Sequence, residues 1–384
     1  MPGVARSDPA DAISERPSTT ATGDAGVELL IRLVRAGHQA GYPAAELEDR
    51  VLALGDRMGA APVEISVTPT VIELTFGSVP HLRSHTLRVR PAQVDLDAIA
   101  RLDDVVQDLL DGADVQRGLA AVAAIEASPM NRPWPLLLGA YAAAGPALTP
   151  ILGGGWREAV AAVAAGLVVG AVALTAGRGS RTEPMVAPLA AASASFAAAV
   201  VAQLGFDANA DVVTLAALVT FLPGMRLTIG MRELATDHLQ SGVANTASAL
   251  IQLLGLVFGV GVGRSIATNW FGAVDAPAPE PAAFGIELLA AVAAGLVFTL
   301  TLRARYRDAA VMCCATVLAL GANEAGRELV GAEAAVFIAA LAVGLTGGLV
   351  ATRFRRSALV FIVPGVLMVV PGSAGLNGVL QLLT

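Results

Sequence analysis

The chain contains no lysine: each of its 25 basic side chains is an arginine. That absence accompanies an abundance of alanine and reads as coding bias rather than chemistry. Cysteine is nearly absent too. Cys313 and Cys314 are the whole supply. Neighbours on a helix point about 100° apart, so this pair suggests neither a disulfide framework nor a metal site. Charge is scarce, at 15% of residues, where soluble domains carry roughly 25%. No basic tract occurs and the net charge is −7, which argues against nucleic acid as a partner. Met1 to Gly23 has no apolar core segment and is rich in Pro, Ser, Thr, Asp and Ala. Residues 1–23 therefore read as a disordered cytoplasmic tail, not as a signal peptide. No nucleophile elbow, P-loop or HxE/CxxC zinc signature is found, so no cofactor is expected and nucleotide-driven pumping is disfavoured.

What is present is apolar. Hydrophobic residues make up 55% of the chain. The shortage of charge is uneven: residues 24–132 are normally charged, whereas 133–384 carry long apolar runs.

Residues 24–132 read as a small cytoplasmic α+β domain. Val27, Leu30, Ile31 and Val34 recur at helical spacing and predict a first helix that ends near Gly37. Glu46 to Met58 repeats the pattern and Gly59 stops it. Val63–Thr68, Val71–Phe76 and Thr86–Arg90 alternate and are β-branched, as strands do. Asp95 to Leu110 is amphipathic, with Asp95 or Asp97 as N-cap. Val115 to Ala127 predicts a last helix leading towards the membrane. His38, His81 and His85 read as surface or loop histidines, because no cysteine or close carboxylate cluster accompanies them. Glu46, Glu48 and Asp49 open a helix, where acids favour the dipole, and read as a solvated face.

From Pro133 on, apolar segments approach the roughly 20 residues needed to cross a bilayer. Spans are expected at 133–152, 157–177, 185–205, 210–225, 243–263, 284–302, 308–323, 331–352 and 357–371. A tenth begins near Gly372. Arginine placement orients them. With the N-terminal domain in the cytoplasm, Arg178, Arg181, Arg226, Arg232, Arg303, Arg305, Arg307, Arg353, Arg355 and Arg356 all face inward. Arg157, Arg264 and Arg327 face outward, with the Pro-rich loop 271–283. This follows the positive-inside rule.

The stretch from Leu222 to Gly242 breaks the apolar series with Pro223-Gly224, Arg226, Arg232, Glu233 and Asp237. A weaker echo, Pro364-Gly365 and Val370-Pro371-Gly372-Ser373, comes 141 residues later. Unwound backbone inside a bilayer is tolerated only where it lines a cavity, and paired broken helices are a transporter plan. Aligning the two Pro-Gly pairs gives five spans per unit, in 133–270 and 284–384. An odd number inverts the second unit relative to the first. The counterpart of the first unit's last span would run past Thr384, so that span is expected to be incomplete. Its polar start, Ser373, Asn377 and Gln381, shares one helical face.

These motifs resemble the threonine/serine exporter family. Pro223-Gly224, Glu233-Leu234, Thr236-Asp237 and Ser241-Gly242 stand where that family has Pro-Gly, Asp-Leu, Gly-Asp and Ser-Gly. Glu233 replaces the usual Asp, and Thr236 the usual Gly. Pro364-Gly365 and Val370–Ser373 match the second-half signature. Arg35-Ala36-Gly37, Glu46 and Val67–Thr70 fit the N-terminal part. The resemblance covers about residues 25–384. It implies a cytoplasmic N-terminal domain, ten spans in two five-span halves, and efflux of threonine, serine or similar small polar amino acids across the cytoplasmic membrane. It also implies a proton- or potential-driven step. The chain would act in the lipid bilayer as a multi-pass protein, alone or as a homo-oligomer.

A zwitterion needs partners at both ends. Helix N-termini freed at the Pro-Gly breaks suit its carboxylate. Glu233 or Asp237 suits its ammonium, or a coupling proton. Thr228, Ser241, Asn245 and Ser248 offer hydroxyl or amide contacts, and Asn245, Ser248 and Gln252 share a face. For Arg226, Arg232, Glu233 and Asp237, an amphipathic loop helix with solvated charges is the competing reading. Asn323, Glu324, Arg327 and Glu328 read as outer-loop surface pairs. Two other classes stay open: an enzyme anchored by its spans with chemistry in 24–130, and a sensor or scaffold. The missing catalytic motifs speak against the first, and the paired Pro-Gly breaks against the second, since a plain anchor has no need of broken helices.

Overall fold

The computed structural model describes residues 19–59, 62–89, 94–127, 132–176, 182–272, 282–354 and 357–369. The N-terminal elements are α1 (Thr19–Gln39), α2 (Ala44–Met58), β1 (Val63–Val67), β2 (Val71–Phe76), β3 (Arg83–Arg88), α3 (Leu96–Leu110) and α4 (Val115–Ala127). The strands form one antiparallel sheet in the order β1-β2-β3, with Ile65 opposite Leu74 and Leu74 opposite His85. Apolar faces drive this assembly. Leu29, Leu30, Leu47, Leu54, Ile72 and Leu74 are fully buried, each contributing about 1.5–3 kcal/mol of transfer free energy. Asp95 caps α3 by accepting from the Ala98 amide at 3.0 Å, and Gly59 ends α2 with a left-handed φ of 64°.

The first helix ends at Gln39, near Gly37 as expected, and one expectation here needs correction. A Cβ on Gly37 would stand 2.8 Å from Leu47 Cδ1, so its smallness serves the α1–α2 approach. His38 is buried rather than at the surface, and its Nε2 lies 3.0 Å from the Pro69 carbonyl. Burial lowers its pKa from the usual 6.5, against the pull of that carbonyl.

The apolar part comprises α5 (Trp134–Leu148), α6 (Trp156–Ala176), α7 (Val186–Gln203), α8 (Ala210–Leu218), α9 (Gly224–Ala235), α10 (Leu239–Phe271), α11 (Phe284–Thr301), α12 (Ala309–Val330), α13 (Ala332–Phe354) and α14 (Leu359–Val369). Among the described residues, seven helices are long and apolar enough to cross a membrane. An eighth crossing is reached if the pair Ala210–Phe221 and Gly224–Ala235, bent by 56°, counts as one span. The chain is a multi-pass helical membrane protein with a small sheet near its N-terminus. Small residues let the helices approach closely, as lipid-embedded helices need. Gly259 and Gly263 of α10 lie directly on the Pro188 and Ala192 carbonyls of α7. Gly166 of α6 lies on the Tyr141 carbonyl of α5.

The fifth expected span, 243–263, is far longer: α10 is one helix of 33 residues. Asn323, Glu324 and Arg327 belong to α12 rather than to a loop, and Arg327 pairs with Glu324 at 3.9 Å one turn away. The two Pro-Gly pairs also differ. Pro223 separates two helices, whereas Pro364 sits inside the continuous helix α14, with Gly365 packed on Val343. The second break is therefore not formed at Pro364. The tenth span, the 1–18 part of the tail and 273–281 of the Pro-rich loop lie outside the described residues.

Candidate functional site

The site grows from the bend between α8 and α9. A short 3-10 turn, Val219–Phe221, follows α8; Leu222 is extended and Pro223 leads into α9. Bending strips backbone groups of helical partners, and such groups must be satisfied inside a bilayer. Gln252 of α10 does part of this: its Nε2 donates to the Phe221 carbonyl at 2.7 Å. Its Oε1 accepts from Arg226 at 3.2 Å. Beyond α9 the chain turns at Asp237, whose φ of 64° is left-handed, a conformation Asp tolerates better than most residues. Gly230 and Gly242 let α9 and the start of α10 touch. A Cβ on Gly242 would meet the Leu234 amide at 2.8 Å.

This bend faces a cavity of about 270 Å³. Pro223, Arg226, Glu233, Ser241, Asn245 and Gln252 form one wall. Of the two readings open for Glu233, the solvated loop helix fails: its side chain is only 2% exposed. Asn245 Nδ2 donates to Glu233 Oε2 at 2.7 Å. Thr220, also on the wall, buries its hydroxyl without a hydrogen bond among the described residues.

The opposite wall comes from Phe298 of α11, Arg303 in the turn after it, Val363 of α14, and the N-terminal layer (His38, Tyr42, Pro69). Tyr42 is locked in place. Its hydroxyl donates to Asp103, Arg50 Nη2 lies 2.9 Å from the same carboxylate, and the Arg50 guanidinium sits 5.1 Å over the tyrosine ring. Burial pushes the Asp103 carboxyl above its usual range against the pull of Arg50. Burial, with Asp103 beside it, pushes the Tyr42 phenol well above 10.

The N-terminal layer is riveted to the membrane part around this cavity. Arg232 Nη1 donates to Glu46 Oε1 at 2.6 Å. His238 Nε2 is 3.1 Å from Glu48 Oε2, and Glu48 Oε1 accepts from the Val67 amide at 2.8 Å. Arg303 meets Asp95 at 3.4 Å, and Arg305 meets Asp97 at 2.9 Å. The amides of Leu96 and Asp97 donate to the Leu302 and Arg303 carbonyls. Glu46 and Glu48 are thus partners of the α9–α10 turn and not a solvated face.

Of the residues expected from sequence, Pro223, Glu233, Ser241 and Asn245 line the cavity. Gly224 opens α9 beside it and lines a neighbouring cavity. Thr228 spends its hydroxyl on the Gly224 carbonyl at 3.1 Å. Arg232 reaches away to Glu46. Asp237 is exposed and outside the cavity wall. Pro364 and Gly365 lie within α14, whose Val363 and Leu367 do line the cavity. Pro371, Gly372, Ser373 and Asn377 lie outside the described residues. Sequence reasoning missed His38, Tyr42, Thr220, Phe298 and Arg303, because nothing local signals that the N-terminal layer closes this space. Among the described residues no cluster of His, Cys, Asp or Glu could hold a metal.

Two family models, both described as threonine/serine exporter, match the chain, one over residues 28–267 and the other over 284–384. The chain belongs to the threonine/serine exporter family. This is a family of transporters, not of enzymes. A Corynebacterium glutamicum protein named threonine/serine exporter is 27% identical over 266 residues, covering 66% of this chain and 54% of that relative. A Mycobacterium tuberculosis protein named probable threonine/serine exporter is 27% identical over 334 residues, covering 81% of this chain and 61% of the relative. The chain thus spans between half and two thirds of the length of these curated relatives. No solved structure matches it significantly. In this family member both matched regions reach the cavity, through Glu233 in the first and Phe298 and Val363 in the second.

Proposed function

We propose that the chain exports threonine, serine or similar small polar amino acids across the cytoplasmic membrane, with its N-terminal layer on the cytoplasmic side and the proton-motive force driving the step. One observation carries this reading: a buried carboxylate, Glu233, held by Asn245 on the wall of a cavity at a bent span. A charge in such a place is costly, and it is kept where it serves a polar solute or a proton.

The amino acid's ammonium pairs with Glu233. Its carboxylate lies towards Arg226 and the first turn of α9, whose amides lack intrahelical partners. Arg226 and Glu233 are seven residues apart, two turns along one face, roughly 10 Å on the axis. Two side-chain arms close much of that gap around a small zwitterion. The substrate hydroxyl satisfies Thr220 or Ser241. Glu233 carries the coupling proton when the ammonium has left.

The test is efflux of preloaded labelled threonine from cells expressing the chain, beside Glu233→Gln and Asp237→Asn. Proton-gradient-dependent efflux that is lost in Glu233→Gln and kept in Asp237→Asn is the expected result. Equal loss in both variants would take the role from Glu233, and efflux indifferent to an uncoupler would remove the proton.

A further inference from the structure

A second cavity, of about 190 Å³, adjoins the first. It is lined by Leu148 at the end of α5, by Ile151 and Leu152 of the 3-10 turn Pro150–Leu152, by Leu215 of α8, and by Asn323 of α12. Asn323 is the one polar side chain among its described lining residues. The two cavities share four wall residues, all apolar: Val219, Leu222, Phe298 and Leu367. On one side of that ring stand Glu233, Arg226 and Thr220; on the other stands Asn323.

We propose that Val219, Leu222, Phe298 and Leu367 form the gate of the translocation path, shut in this structure, and that Phe298 sets the size of solute that passes. The proposal rests on the exporter reading and adds where the path is closed. An apolar ring dewets and blocks ions and zwitterions without touching either polar site. Passing a charged solute through it unpaired is unfavourable. The ring's elements suit the task unequally. Leu222 belongs to the two-residue link at the 56° bend, where backbone rotation moves it most easily. Leu367 follows Pro364 in α14, a helix lacking one internal hydrogen bond. Phe298 is different: it is 3% exposed within unbroken α11. The Thr299 and Thr301 hydroxyls beside it bond back to Gly295 and Val297 of the same helix. It is the fixed jaw against which Leu222 and Leu367 close.

The experiment uses the full chain, with Cys313→Ala and Cys314→Ala removing the native thiols, in sealed vesicles. A small cationic thiol reagent is added on the face bearing the N-terminal layer, and modification of Asn323→Cys is timed. With Phe298 intact the reaction is slow. Phe298→Ala is expected to speed it about tenfold, and Phe298→Trp to slow it. In parallel, Phe298→Ala should admit leucine to transport, while Phe298→Trp stops threonine flux and leaves threonine-induced thermal stabilisation in place. Labelling of Asn323→Cys that ignores residue 298 overturns the gate. If the intact chain moves no amino acid but labelling still follows Phe298, the exporter reading fails and the gate stands. A Phe298→Trp variant that loses threonine stabilisation with flux places Phe298 in the binding site and overturns its gating role.

Discussion

Arg232 and Glu46 stand 186 residues apart in the chain and meet at 2.6 Å. One stands in the last turn of the bent span; the other opens the second helix of the N-terminal layer. With His238 and Glu48 beside them, they tie the α9–α10 turn to that layer. Residues of both parts line the cavity beside this contact.

The Arg232–Glu46 pair is half exposed on its arginine side, and such pairs are worth about 0.2–1 kcal/mol. Glu46→Gln should therefore leave the melting temperature of the detergent-solubilised chain close to that of the parent while changing the threonine efflux rate. The reversal Glu46→Arg with Arg232→Glu should restore the parental rate. Unchanged efflux in both single variants would detach this contact from transport.

Asn245→Leu removes the donor that holds Glu233 and leaves a buried carboxylate short of a partner, a cost of about 1–3 kcal/mol. Efflux should fall by about tenfold or more. Asn245→Asp, which sets a second carboxylate against the first, should fall further. Asn245→Leu with parental kinetics would show that Glu233 needs no such partner.

His38 gives stability a pH dependence. Its folded pKa lies below the usual 6.5, so at mildly acidic pH the unfolded chain binds more protons than the folded one. Stability is then lost as pH falls through 6.5. Asp103, raised by burial, acts in the opposite sense: its contribution fades as pH rises through its folded value. Melting curves at about pH 7.5 and about pH 5.5 should show an acid-side loss that His38→Gln reduces. An equal loss in that variant would assign the effect elsewhere.

Glycines on the α7–α10 seam make a paired test. Gly263→Leu drives a side chain into the Ala192 carbonyl and should cost about 1–3 kcal/mol or more in stability. Gly261, on the same helix with nothing near its Cβ position, should accept leucine without loss. Thermal melts decide, and equal tolerance at both positions would mean the helices part easily there.

Periodicity made most of this fold legible. Val115–Ala127 forms the helix its pattern predicts, β2 spans Val71–Phe76, and Asp95 caps α3. The apolar runs near 157–177 and 284–302 became α6 and α11. Local pattern failed where tertiary contact decides. His38 looked like a surface histidine, but tertiary packing buries it against the Pro69 carbonyl. Pro364-Gly365 looked like a break because Pro223-Gly224 is one, yet the helix carries through. For the site, Glu233 and Asn245 were legible because charge and amide are rare in apolar sequence. Tyr42 and Phe298 were not, since each is ordinary in its own segment and matters only where distant elements meet.

The length of α10 carries a mechanical meaning. Its 33 residues make a rod of roughly 50 Å, longer than the ~30 Å hydrocarbon layer. One end begins beside His238 and Glu48; the other holds Trp270 edge-on to Phe196 of α7. A tilt of about 5° about one end swings the other by about 4 Å on a rod of that length. A tilt of the whole helix would thus be magnified along its length, and the indole of Trp270, one residue from its end, is placed where fluorescence would read it.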